Sequence, residues 1–351
     1  MEHVDVAVIG GGQSGLAAAH YLLKEGLQPV VLEASGQAAG SWPRYYDNLT
    51  LFSPARYSSL PALPFGGDPD RYPHRDEVVA YLLQYAEVLA ADIRTGQRVS
   101  CVRADGEGFV LDVADGHRLG ARAVVTATGG FGRPNRPALP GLDTFTGKVL
   151  HVAEYRTPAP FVGQRVVVVG AGNSAVQVAA ELARVARVSL ASRSPVRWFP
   201  QKPLGRDLHF WLTVTGLDTA PLARLQRRPA TMAVIDDGRY RAALAAGRPD
   251  RRSLFASVNG VTVTWADGEQ EDVDTIILAT GYLPDLGYLA PLGALNKEGR
   301  PGHRDGVSLS HPRLAHVGLE WQRSLASASL RGVGRDARRA ARRLARQLLR
   351  A

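Results

Sequence analysis

Two stretches of the chain carry small residues at one spacing: Gly10, Gly12 and Gly15 in "VIGGGQSGLAAA", and Gly170, Gly172 and Ala175 in "VVGAGNSAVQVA". In such a set the first glycine permits a tight turn, the second lets the backbone approach a pyrophosphate, and the small third residue lets helix and strand pack closely. The phosphates then rest on the free N–H groups that open each helix, at Gln13 and Ser14 and at Asn173 and Ser174. Past the first turn the next strand ends in Glu33 and Ala34; at the same offset past the second stand Ser192 and Arg193. A carboxylate accepts hydrogen bonds from both ribose hydroxyls and repels a 2′-phosphate, whereas a guanidinium binds that phosphate bidentately. The first turn is therefore predicted to hold an adenine dinucleotide without a 2′-phosphate, most simply FAD, and the second NADPH. Two dinucleotides on one chain imply hydride transfer to a flavin.

These turns need strands and helices to hold them. Apolar residues up to Ile9, a helical pattern from about Ser14 to Glu25 and "PVVLEA" form one βαβ unit; Val166 to Val169, a helix from about Ser174 to Ala186 and "VSLASR" form another. Each unit is followed by a meander with Asp-Gly or Asn-Gly turns, "RVSCVRADGEGFVLDVADGHRLGARAVVTATG" and "SVNGVTVTWADGEQEDVDTIILATG". Both meanders end in Ala-Thr-Gly. Val99, Thr128 and Gly129 of the first, and Ala279, Thr280 and Gly281 of the second, join the candidate cofactor-binding residues. The predicted fold class is α/β, with two Rossmann-like dinucleotide-binding domains, the second inserted in the first. The predicted boundaries are 1–157 and 276–351 for the FAD-binding domain and 158–275 for the NADPH-binding domain.

The 351 residues suffice for two domains of ordinary size. No apolar run approaches the roughly 20 residues that cross a bilayer, and nothing at the start of the chain reads as a secretion signal; a cytoplasmic protein is expected. The formal charge of +9 comes from 42 basic residues, all but four of them Arg, spread along the chain. The one dense run, from Arg331, has Leu344, Leu348 and alanines at helical spacing between arginines, the pattern of a terminal helix with a solvated face. Neither nucleic acid nor membrane is an expected partner. The single cysteine, Cys101, excludes paired-cysteine chemistry within one chain, and the nine histidines show no ligand spacing, so no metal is expected. The aromatic residues Trp198, Phe199, Phe210 and Trp211, with His209 among them, read either as plain core or as pocket lining where the two cofactors meet.

Between the two modules "FTGKVLHVAEYR" places Phe145, Gly147, His151 and Tyr155 in the order F-x-G-x-x-x-H-x-x-x-[YF]. This resembles the fingerprint of flavin-containing monooxygenases of the two-dinucleotide class, and Tyr155 resembles the heteroatom-oxidising and YUCCA-like branch. The resemblance covers nearly the whole chain. It places Gly40, Ser41 and Trp42 along the flavin, Arg75 at the entry of a following helix, and Gln322 and Ser324 at a helix N-terminus beside the flavin's pyrimidine end. It makes His151 a linker between the domains. Many members have an Asn near the isoalloxazine where this chain reads Leu51, Phe52 and Ser53, so Phe52 and Ser53 join His151 as candidate catalytic residues.

By the same resemblance NADPH reduces FAD, dioxygen adds to the reduced flavin, and a C4a-hydroperoxyflavin delivers one oxygen atom to a small soft nucleophile. The stretches "LTLFSPARYSSLP" and "GLEWQRSLASASLRGVG" are most similar to flavin monooxygenases of bacterial arsenic-resistance operons, which makes a trivalent arsenical the first candidate substrate. An NADPH oxidase or quinone-type reductase, and a non-enzymatic flavin redox sensor, stay open beside the monooxygenase. A homodimer stays open too. The expected partners are a small-molecule substrate and dioxygen.

Overall fold

The computed structural model describes residues 1–224 and 233–349. Its first sheet has a parallel centre. β1 (Glu2–Ile9) lies between β2 (Pro29–Leu32) and β6 (Arg118–Thr126); Asp92–Arg94, β3, flanks β2, and the strand Leu314–His316 flanks β6. Val6, Val8 and Val31 on one side and Ala7, Ile9 and Leu32 on the other are all buried, as expected for parallel strands covered on both faces. One face packs against α1 (Gln13–Lys24), α2 (Arg75–Val88) and the C-terminal helix Leu330–Leu348. The other is covered by the antiparallel pair β4 (Val99–Asp105) and β5 (Gly108–Val113) and by residues 286–294.

The second sheet repeats this plan. Its strands are all parallel, in the order Lys148–His151, Thr275–Leu278, Arg165–Val169, Arg187–Ser192 and Asp250–Ser253. Helix α3 (Asn173–Leu182) covers one face, and the meander Ser257–Asn259, Thr262–Thr264 and Gln270–Asp272 covers the other with buried Val258, Val263 and Trp265. Two shorter helices, α4 (Leu208–Thr215) and α5 (Arg239–Ala245), follow within this insertion, and Leu330–Leu348 is α6.

The strand Lys148–His151 lies in the second sheet, although the boundary expected at 157 assigns it to the first unit; Thr275–Leu278 likewise straddles the expected boundary at 275. The reason is pairing: Leu278 and His151 are register partners, so the returning strand recruits the entering one into its own sheet. Cys101 is half-buried in β4 rather than sealed in the core. In α6 Ala337, Ala340, Ala341, Leu344 and Leu348 are buried, while Arg335, Arg338, Arg342, Arg343 and Arg346 face outward. The insertion is tied to the turns that precede α6. The Asp218 carbonyl accepts from Ala326 N–H at 2.9 Å, the Asp218 carboxylate meets Arg331 at 3.2 Å, and Arg323 donates to the Thr219 carbonyl at 3.1 Å.

The strand Leu314–His316 leads toward the first glycine turn, and its last residue is fully buried. His316 Nδ1 lies 2.7 Å from Thr126 Oγ1 on β6, and burial holds its pKa down at about 3, against about 6.5 for a free histidine. Burial lowers His20, His151, His209 and His303 as well. The unfolded chain therefore binds more protons than the folded one from about pH 6.5 downward, and stability present above that pH is lost as the pH falls toward about 3. Equilibrium denaturation at pH 7 and pH 5 should show a loss of about 2 kcal/mol from His316 alone. The variant His316→Gln should narrow that gap; an unchanged gap would assign the acid sensitivity elsewhere.

Candidate functional site

Each glycine turn is closed from below by the residue that follows the parallel strand ending its meander, Arg118–Thr126 in the first unit and Thr275–Leu278 in the second. Gly10 has φ +107°, and a Cβ on it would lie 2.7 Å from the Ala127 carbonyl oxygen; Gly170 has φ +151°, and its Cβ would lie 2.4 Å from the Ala279 carbonyl oxygen. Ala127 N–H donates to Ile9 O, and Ala279 N–H donates to Val169 O, both at 2.8 Å. This explains why both meanders end in the same tripeptide: the alanine must pass directly beneath the turn. Gly129 (φ +73°) and Gly281 (φ +82°) then turn the chain away. Gly15 is the tightest contact of the first unit, since a Cβ there would lie 1.8 Å from the Gly10 carbonyl oxygen.

The turns end on helices without side-chain caps. Gly12 and Gly172 occupy the cap positions of α1 and α3, so neither helix has a side-chain cap and the first N–H groups, of Gln13, Ser14, Asn173 and Ser174, open a helix end of the kind that suits a pyrophosphate. Gly12 faces Gly40: a Cβ on Gly40 (φ +58°) would lie 2.8 Å from Gly12 Cα, whereas a Cβ on Gly12 would just touch Gly40 Cα at 3.4 Å, so a larger side chain at Gly12 must project into the space over the helix head. The Glu33 carboxylate accepts from Gly11 N–H at 2.6 Å and from Ser35 N–H at 2.8 Å, and its remaining lone pairs can take two ribose hydroxyls. A cleft of about 340 Å³ lined by Ser35, Gln37, Gly40 and Arg44 opens beside it. Val99 starts β4, and just before it Gln97 N–H donates to the Glu33 carbonyl. These features fit the adenosine end and pyrophosphate of FAD.

Further along, Trp42 Nε1 donates to Gln13 Oε1 at 2.5 Å, and Gln13 Nε2 donates to Ala328 O at 2.9 Å; Ser41 and Tyr45 share a hydrogen bond. The 40–42 segment, the head of α1 and the turns before α6 thus converge. Thr128 Oγ1 stands 3.3 Å from the Tyr288 hydroxyl. Gln322 and Ser324 are buried, but α6 begins only at Leu330, so they sit in the preceding turns rather than at the helix N-terminus expected. Gln322 Nε2 is a buried donor without an acceptor among the described residues, which a flavin carbonyl would satisfy. Arg75 is held by Tyr45 O and by the Asp47 and Asp76 carboxylates, so its guanidinium braces α2.

In the second unit Asn173 Oδ1 accepts from Ile235 N–H, and Ser192 Oγ donates to Ser194 O at 2.7 Å. Arg193 is exposed at the end of its strand and has no partner among the described residues.

His151 joins the two units. Its Nε2 lies 3.0 Å from Gly281 O and its Nδ1 accepts from Ala153 N–H at 3.1 Å, which fixes the neutral tautomer with the proton on Nε2. Burial keeps its pKa below the ordinary value. A fully buried imidazole with both nitrogens committed is a strut, not a proton donor. Thr280 and Asn135 exchange two hydrogen bonds beside it. Ser53 Oγ bonds Ser58 Oγ at 2.9 Å, and the Phe52 carbonyl accepts from Gln201 Nε2 at 2.9 Å, so an amide from the insertion reaches the position where the sequence lacks Asn. Of the aromatic stretch, Phe199 is exposed, Trp198, Phe210 and Trp211 are half-buried, Trp198 against the core of the second unit, and His209 is buried.

Residues 7–212 match the family described as pyridine nucleotide-disulphide oxidoreductase. An uncharacterized CzcO-like oxidoreductase of Geobacillus kaustophilus is 32% identical over 344 residues, covering 96% of this chain and 97% of its own. Indole-3-pyruvate monooxygenase YUCCA1 of Oryza sativa subsp. japonica is 33% identical over 311 residues, covering 78% of this chain and 76% of its own. The solved flavin-containing monooxygenase from Stenotrophomonas maltophilia superposes with a TM-score of 0.86 at 34% identity, covering 98% of each chain.

The Gly12→Val variant should fold, by circular dichroism, yet purify without the yellow colour of bound flavin. Gly15→Ala, which drives a methyl into the Gly10 carbonyl, should instead lose stability. Full flavin occupancy in Gly12→Val would remove the first turn from the cofactor site.

Proposed function

The chain belongs to the pyridine nucleotide-disulphide oxidoreductase family and, within it, to the flavin monooxygenases that use FAD and NADPH; on that premise we propose that it transfers one atom of dioxygen to a small soft nucleophile, with a trivalent arsenical the first candidate. The disulfide chemistry in the family's description is closed to a single chain whose only cysteine is Cys101. The observation that carries the reading is the pair of uncapped glycine turns in one register, one ending in Glu33 and the other in Arg193, an exposed guanidinium with no partner among the described residues.

FAD, once bound, supplies the redox and oxygen chemistry, and NADPH the hydride. The protein binds, orients and keeps water out. In this reading residues 1–147 with 279–351 hold FAD, and residues 148–278 hold NADPH. Gly12, Gln13 and Ser14 carry the flavin pyrophosphate and Glu33 its ribose, while Gly172, Asn173 and Ser174 carry the pyrophosphate of NADPH and Arg193 its 2′-phosphate. His151, bonded to Gly281, keeps the two cofactors in fixed relation. An As(III), sulfur or nitrogen lone pair is the attacking group, and no protein thiolate takes part.

A charge-assisted hydrogen bond contributes about 1.5–3 kcal/mol, so Arg193→Ala should lower kcat/KM for NADPH about ten- to a hundredfold and leave NADH nearly unchanged. Equal loss with both coenzymes would make Arg193 structural. Labelled dioxygen should appear in the oxygenated product of an arsenical, a sulfide or an amine. Stoichiometric hydrogen peroxide in place of labelled product, whatever nucleophile is offered, would establish an NADPH oxidase instead. Label in a sulfide or amine but never in an arsenical would remove the arsenical and keep the reaction class.

A further inference from the structure

Asp207, Gln201, Tyr72 and His209 form a polar knot that neither nucleotide site uses. Asp207 opens α4, where its Oδ1 accepts from the His209 backbone N–H at 2.7 Å and lies 2.8 Å from His209 Nδ1. Its Oδ2 accepts from the Tyr72 hydroxyl and from Gln201 Nε2, each at 2.7 Å. Burial pushes the Asp207 carboxyl up, but these hydrogen bonds outweigh it and hold the group below its ordinary value. It is therefore an anion with four donors on it, and it fixes the His209 proton on Nδ1.

That leaves the lone pair of Nε2 pointing away from the carboxylate, and no described residue donates to it. The residue is only 1% exposed. Its ring lies between Phe52 and Tyr57, with centroids 6.2 Å from each and interplanar angles of 22° and 29°. Burial lowers the His209 pKa, so the ring is neutral and its Nε2 an acceptor near pH 7. His20 and His316 Nε2 are enclosed without a partner, but His209 Nε2 is not among such sealed atoms, so it keeps a sliver of solvent contact through which a ligand donor can reach it.

The place of the knot says which ligand. Gln201 and His209 come from the insertion, whereas Phe52 and Tyr72 come from the first unit, so the knot lies in the seam between the two nucleotide modules. Hydride must pass across that seam, and the group to be oxygenated must stand there too. We propose that His209 Nε2, aimed by Asp207, accepts a hydrogen bond from an O–H or N–H group of the substrate, which makes the preferred substrate a soft nucleophile with a donor close to the atom oxygenated. The inference rests on the monooxygenase reading above. His209 is then a binding residue and Asp207 a positioning residue.

The test uses FAD-loaded protein and two probes, a hydroxyphenyl methyl sulfide and its O-methyl ether. Nitrogen-15 spectra of the histidine rings, recorded without NADPH, should show His209 neutral with its proton on Nδ1. The hydroxyl probe should shift its Nε2 and the ether should not. In turnover, His209→Phe should lower kcat/KM for the hydroxyl probe about five- to tenfold, the worth of one hydrogen bond, and leave the ether nearly unchanged. Asp207→Asn should cause the same loss while moving the ring proton to Nε2. His209→Gln, which keeps an acceptor, should retain part of the preference and serves if the Phe variant does not fold.

A proton on Nε2 in the unaltered protein would overturn the proposal, as would an unchanged preference in His209→Phe. So would a raised KM for NADPH with the probe preference intact, which would assign the acceptor to the nicotinamide. If Nε2 responds to the hydroxyl probe but neither sulfide is oxygenated, the reaction class falls and the assignment of His209 stands.

Discussion

The structure depends on one close approach made twice: a glycine turn lying on the carbonyl of an alanine at the end of the neighbouring parallel strand. At Gly10 and Ala127, and again at Gly170 and Ala279, the gap leaves no room for a Cβ. The contact fixes where the next helix begins, so the N–H groups at its head emerge over the carboxyl edge of the sheet without a capping side chain. A positively polarised, uncapped helix end is what a pyrophosphate needs. Everything that distinguishes the two sites is added around this shared frame: an acid buried under two backbone N–H groups in one case, an exposed arginine in the other.

The second consequence is the seam. The chain enters the second sheet at Lys148 and leaves it at Leu278, and these two strands are paired with each other, so both crossings between the units lie side by side. His151 closes that hinge point by reaching the Gly281 carbonyl. Because Gly281 ends the tripeptide that supports the second glycine turn, the imidazole ties the crossing to the floor of the nucleotide site. The insertion is also fastened at its far end, through Asp218 and Arg331 and through Tyr72 and Asp207. The parts of the chain that must meet for hydride and oxygen transfer are thus held by short buried contacts and not by a flexible linker.

Local signals made the two glycine turns legible in the sequence, because each depends on residues within one βαβ unit, and the paired Ala-Thr-Gly ends were legible as a repeat. The unit boundary was not legible, since which sheet Lys148–His151 joins is decided by pairing with a strand more than a hundred residues away. Gln322 was expected at a helix start by the family resemblance alone, which does not fix where this chain's turns end; the helix waits until Leu330. Arg75 looked available to a cofactor, but Asp47 lies far enough along the chain that its claim on the guanidinium could not be read. His209 stood out only as one member of an aromatic stretch. The signal that could have separated it was Asp207 two positions earlier, a helix-capping acid beside a histidine, and its partners Tyr72 and Phe52 are visible only in the fold.

The most direct measurement is a structure of the protein loaded with both FAD and NADP⁺. The account predicts the flavin pyrophosphate on the head of α1 with its adenosine ribose against Glu33, and the NADP⁺ pyrophosphate on the head of α3 with its 2′-phosphate against Arg193. The flavin and nicotinamide rings should then meet in the seam between Phe52 and the turns before α6. Either dinucleotide bound to the other turn, or a 2′-phosphate that leaves Arg193 in solvent, would contradict it.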